Sequence, residues 1–168
     1  MDALAAGGLR FNRFHTTALC SPTRACLLTG RNHHSVGMGF LTDIPMGFPG
    51  YSGRIPSSAA ALPRLLRDAG YSTMAVGKWH LCQMEHACAA GPYEHWPCQR
   101  GFDRYYGVLD AFTNLHHPHR LTEDNHAVEI DQYPEGYYLT DDIDGDFGPV
   151  TDRAVRPEPR TPVPITTP

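Results

Sequence analysis

The run Pro63-Arg-Leu-Leu-Arg-Asp-Ala-Gly70-Tyr71-Ser-Thr-Met-Ala-Val-Gly77-Lys78-Trp79-His80 sets a short helix directly before an apolar strand. Pro63 suits a first helical turn, where a missing N–H costs nothing, and Gly70 suits the end of the helix. Tyr71 to Val76 then reads as a buried strand that stops at Gly77. A helix that passes through one glycine into such a strand is an α/β signature, most often with a parallel sheet. Ligands in open α/β sheets sit beyond the carboxyl ends of strands, where Lys78, Trp79 and His80 fall. If the backbone stays extended there, Lys78 and His80 share one side and Trp79 takes the other. A cation and an imidazole facing one pocket suit an anionic substrate. The plain alternative is a snorkelling lysine and a loop histidine.

Upstream, Cys20-Ser21-Pro22-Thr23-Arg24 leads to Leu28-Thr29-Gly30-Arg31. Pro22 and Gly30 bracket a helix of about two turns. Cys20 therefore falls just before its first turn, where free N–H groups and the positive end of the dipole favour negative charge. Arg24, four residues on, shares the face of Cys20 and offers a planar fork of donors. A buried structural thiol beside a surface arginine is the competing reading.

The rest of the chain is less regular. Met1 to Gly7 reads as the end of a helix, and Leu9 to Thr17 alternates like a half-buried strand. Residues 32–57 form a long Gly/Pro-rich loop, of a length that is usually functional. Further strands are expected at Tyr105–Leu109 and Ala127–Ile130. Pro149 to Pro168 holds six prolines in twenty residues and reads as an unfolded or extended tail.

Composition narrows the classes. The 168 residues are 41% hydrophobic and 19% charged, enough for one core, while 31 glycines and prolines (16 and 15) require much loop. A net charge of −4 argues against nucleic acid and anionic membranes as partners. No apolar run is long enough to span a bilayer, and Met1 to Leu9 does not read as a signal peptide, so the expected location is cytoplasmic. Five cysteines without a CxxC pair point to a reduced chain rather than a zinc cage or a disulfide scaffold.

Two of these segments resemble the sulfatase family. Its first signature, C-x-P-[ST]-x-R or C-x-P-[ST]-R followed by L-T-G-R, stands here as Cys20-Ser-Pro22-Thr23-Arg24 with Leu28-Thr29-Gly30-Arg31. Its second, G-Y-x-T-x-x-x-G-K-x-H, stands as Gly70-Tyr71-Ser-Thr73-Met-Ala-Val-Gly77-Lys78-Trp-His80. Gly8-Leu9-Arg10-Phe11, Arg31-Asn32-His33-His34 and Gly136-Tyr137-Tyr138-Leu139-Thr140-Asp141 extend the likeness, closest to bacterial arylsulfatase-type members, over residues 1–141. The resemblance implies an alkaline-phosphatase-like α/β domain with a mostly parallel sheet flanked by helices, incomplete at both ends and loop-rich. It implies that residues 1–141 are part of a sulfatase catalytic domain and 142–168 a divergent tail.

It also implies a chemistry. A formylglycine-generating enzyme oxidises the signature cysteine to an aldehyde whose hydrate attacks the sulfur of a small sulfate ester; loss of the second hydroxyl proton then releases sulfate. Carried over, Cys20 is the formylglycine precursor and a metal ligand, and Arg24 its electrostatic support. Lys78 binds ester oxygens, and His80 hydrogen-bonds the hydrate or assists elimination. The implied cofactor is calcium. Phosphonate or phosphate ester hydrolysis within the same superfamily is an alternative, as is a catalytically inactive remnant or binding module. Family members place an Asp pair for the metal well before the cysteine signature, whereas the nineteen residues before Cys20 offer only Asp2, so an N-terminal fragment is expected. Asp124-Asn125 lacks the context of the family's later metal pair. Asp141, Asp142, Asp144 and Asp146 read as a solvated acidic loop. His33, His34, His116, His117 and His119 read as loop residues, and Met38, Met46 and Met84 as core or loop filler.

Overall fold

The computed structural model describes residues 2–130 and 132–145, without the side chains of 144 and 145. Helix α1 (Asp2–Ala6) is followed by α2 (Cys20–Thr29) and, after the long loop, α3 (Leu62–Asp68). Strand β1 (Met74–Lys78) comes next, then β2 (Arg104–Val108), β3 (Leu121–Glu123), β4 (His126–Ala127) and α4 (Leu139–Gly145). The four strands form one sheet in the order β1-β2-β3-β4. β1 and β2 run parallel, with Met74 beside Arg104 and Gly77 beside Gly107, and an antiparallel ribbon of β3 and β4 extends the sheet. The α/β class follows from the parallel pair and the helices around it.

Local chemistry explains the elements that hold the site. Pro22 lies in the first turn of α2, and Gly30 closes the helix at φ 64 with its N–H on the Cys26 carbonyl. Ser21, Pro22 and Ala25 form the buried face of α2. Ala25 joins Val36, Met38, Ile55, Trp79, Leu81, Trp96, Tyr105 and Leu109 in the main core, which fixes α2 beside the end of β1. β1 and β2 continue past their formal ends, where Trp79 N–H donates to Val108 O and His80 N–H to Leu109 O.

Several sequence expectations need correction. Leu9 to Thr17 forms no strand; Leu9, Phe11 and Phe14 are exposed, and among the described residues no strand pairs with them, so alternation alone does not form a ladder. β1 begins at Met74 rather than Tyr71 and runs through Gly77 and Lys78. It is not buried, because within the described sheet it is an edge strand with Met74 and Val76 exposed. The strand expected at Ala127–Ile130 is a hairpin, with β3 and β4 turning at Asp124-Asn125. The acidic stretch enters helix α4, where the Asp142 carboxylate accepts hydrogen bonds from Tyr106 and Tyr137, each at 2.7 Å. Of the expected tail, residues 142–145 lie in α4, and Asp146 and residues 149–168 lie outside the described residues. Among the described residues no helix is long and apolar enough to cross a membrane.

Candidate active site

Cys20 is the first residue of α2 rather than the residue before it, and it is half-buried. His80 lies one residue beyond Trp79, past the end of β1, at φ 51. That left-handed backbone ends the extended alternation, so the expected split of Lys78 and His80 from Trp79 does not arise from strand geometry. The turn instead buries Trp79, whose indole N–H donates to His95 O at 2.8 Å, and aims the His80 ring at α2. His80 Nδ1 lies 3.0 Å from Cys20 Sγ and 3.3 Å from Ser21 Oγ. Ser21 Oγ donates to the His80 carbonyl at 2.9 Å. On the opposite edge of the ring, His80 Nε2 is 2.8 Å from Asp43 Oδ2.

Arg24 is half-buried and donates from Nη1 to the carbonyl of Lys78, tying α2 to the last residue of β1. Burial lowers its pKa, and the charge of Cys20 acts against that shift. Lys78 places its ammonium 5.3 Å from the centre of the exposed Phe112 ring, a cation–π contact. Burial also lowers the pKa of His80; Asp43 opposes this, while Lys78 and Arg24 add to it. The net effect is a neutral imidazole, a proton acceptor, in contact with Cys20. Cys20 and His80 thus meet directly, Arg24 braces the strand end, and the Lys78 ammonium leans on Phe112.

Sequence reasoning missed two participants. Ser21 sits in the variable position of the first signature, and nothing in its spacing marks it. Asp43 lies in the long loop, whose length was its one signal. That loop is ordered by its own bonds: Gly39 N–H to Gly50 O, Gly53 N–H to Gly37 O, and Thr42 Oγ1 to Gly53 O. Among the other histidines, His33 Nδ1 is bonded to Met38 O, His34 Nε2 to Tyr51 and His116 Nδ1 to Tyr137 O. Met38 is core, whereas Met46 and Met84 are exposed.

The residues present do not make a calcium cage. Among the described residues, no three His, Cys, Asp or Glu side chains are grouped to hold a metal ion. Asp43 spends one oxygen on His80 and the other on the Met84 N–H. Asp124 accepts from Arg104 and from the Tyr105 N–H, a brace for the hairpin rather than a metal ligand. Calcium takes six to eight oxygens, and this donor set falls well short.

The Sulfatase family model matches residues 1–147. An uncharacterised sulfatase of Schizosaccharomyces pombe is 36% identical over 135 residues, which is 76% of this chain and 23% of the relative. Arylsulfatase G of Canis lupus familiaris is 41% identical over 110 residues, 64% of this chain and 18% of the relative. Human steryl-sulfatase is 36% identical over 118 residues, 68% and 19% of the two chains. The chain therefore spans about a fifth of the length of these relatives. Among solved structures, Ps i-CgsB in complex with k-i-k-neocarrahexaose superposes with a TM-score of 0.61 and 26% identity, over 83% of this chain and 32% of the other. With both signatures meeting at one cluster and the family matched over most of its length, the chain belongs to the sulfatase family.

Proposed function

We propose that this chain carries the nucleophile side of a sulfate-ester hydrolysis site, with Cys20 as the precursor of formylglycine. The carrying observation is the 3.0 Å approach of His80 to Cys20 across sixty residues of sequence, joining the two signatures in one cluster. A hydroxyl in place of the thiol would keep His80 Nδ1 as its hydrogen-bond partner. When formed, the aldehyde hydrate supplies a nucleophilic hydroxyl and a second hydroxyl whose deprotonation frees sulfate.

The side chains of this chain do the rest. His80 takes up the proton of the residue-20 hydroxyl at Nδ1. Arg24 and Lys78 supply positive charge for a doubly negative sulfur centre, Arg24 from a fixed position and Lys78 from a long stem that can leave Phe112 for ester oxygens. The first-turn N–H groups of α2 add dipoles of the same sign. No step is assigned to calcium, because the described residues do not hold it. A formylglycine-generating enzyme is the implied partner, and five free cysteines suit a reducing compartment such as the cytoplasm.

The test is release of the phenol from an aryl sulfate by chain coexpressed with that enzyme, beside the matching aryl phosphate. Sulfate turnover abolished by Cys20→Ala is expected. Equal rates with Cys20→Ala would refute the site, and preference for the phosphate would replace the substrate class.

A further inference from the structure

We propose that Asp43 is the positioning residue of this site: it holds the His80 imidazole with its proton on Nε2, so that Nδ1 presents a lone pair to the side chain at position 20. The bond to Asp43 is 2.8 Å, and the His80 side chain is only 1% exposed. Were the proton on Nδ1, the Nε2 lone pair would face a carboxylate oxygen in a dry site, two acceptors with no donor between them. Ser21 does not compete for the lone pair, because its hydroxyl proton is committed to the His80 carbonyl. The Cys20 S–H is left as the donor to Nδ1.

Asp43 is itself held. Its second oxygen accepts the Met84 N–H at 3.1 Å, and its neighbour Thr42 is anchored by Ser21 Oγ and Gly53 O. The charged and titratable groups acting on the ring are Cys20 and Arg24 from α2, Lys78 from β1 and Asp43 from the loop. Two of these are cations that disfavour a charged imidazole, and Asp43 is the anion that opposes them. What this does for turnover rests on the sulfate-ester reading; the tautomer does not.

The test uses the unconverted 168-residue chain. Imidazole nitrogen NMR reads the tautomer directly. The unaltered chain should show His80 protonated on Nε2; a proton on Nδ1 overturns the proposal without any variant. In Asp43→Asn the amide oxygen keeps the Met84 N–H, which turns the amide NH₂ toward Nε2 and inverts the tautomer. The nitrogen spectrum of Asp43→Asn should then place the His80 proton on Nδ1, and Asp43→Glu should return it to Nε2. If Asp43 does not set the tautomer, the proton in Asp43→Asn stays on Nε2, and that result refutes the assignment. None of these readouts needs turnover, so their failure and the failure of the sulfate-ester reading are distinguishable.

Discussion

Replacing Gly107 by alanine should break the strand end that carries Lys78 and His80. Gly107 lies opposite Gly77 in the parallel pair and has φ 153, a backbone conformation that side chains rarely adopt. A Cβ at 107 would lie 2.0 Å from the Gly77 carbonyl oxygen, where ordinary contact begins at 3.4 Å, so the strands must separate by about 1.4 Å (3.4 − 2.0). Overpacking of this kind costs about 1–3 kcal/mol. Backbone strain adds about 1–3 kcal/mol, for a total of roughly 2–6 kcal/mol. Folds of this size hold about 5–15 kcal/mol, so the variant loses a large share of its stability. The assay is urea and thermal melting by circular dichroism, with a fall in Tm of roughly 5–20 °C expected. Gly30→Ala is the control: φ is 64 but nothing lies within 4 Å, so strain of about 1 kcal/mol acts alone. Should Gly107→Ala melt no lower than Gly30→Ala, the close approach of Gly107 to the Gly77 carbonyl does not limit stability and the reasoning fails.

Other consequences are checked by the same melts or by rate assays. Burial pushes the Cys82 thiol from 9.0 up to about 12 and Cys98 to about 11. Both stay protonated in the fold while the unfolded chain ionises, so stability holds below pH 9 and is lost as pH rises toward 12; Cys82→Ala should flatten that decline in Tm against pH. His80 and His95 are shifted the other way, chiefly by burial, so the unfolded chain takes up protons first and stability falls as pH drops below 6.5. Tyr105→Phe removes the 2.9 Å bond to the Gly77 carbonyl and should cost about 1–2 kcal/mol in urea melts. In chain carrying the aldehyde, Lys78→Ala should lower kcat/KM for an aryl sulfate about tenfold or more while leaving the melt unchanged.

Local signals were legible in the sequence and distant pairings were not. Pro22 and Gly30 bound α2 to within two residues, because both act through their own backbone. The parallel β1/β2 pair followed from one helix-to-strand junction and the apolar run at 105–109. The strand read into Leu9–Thr17 failed for the complementary reason: alternation records which faces differ, not whether a neighbour exists to pair with. Asp142 looked like solvated charge until two tyrosine hydroxyls, from residues 106 and 137, arrived to share it. Asp43 shows the same limit inside the site. Its partner is 37 residues away, and a loop without periodicity gives no sign of which carboxylate will meet the imidazole.

Mass spectrometry of the peptide spanning residue 20, from chain coexpressed with a formylglycine-generating enzyme, tests most directly whether this thiol is a precursor. The predicted result is an aldehyde at position 20 with Cys26, Cys82, Cys88 and Cys98 unaltered. An intact thiol there, in cells that convert a full-length sulfatase, would contradict it.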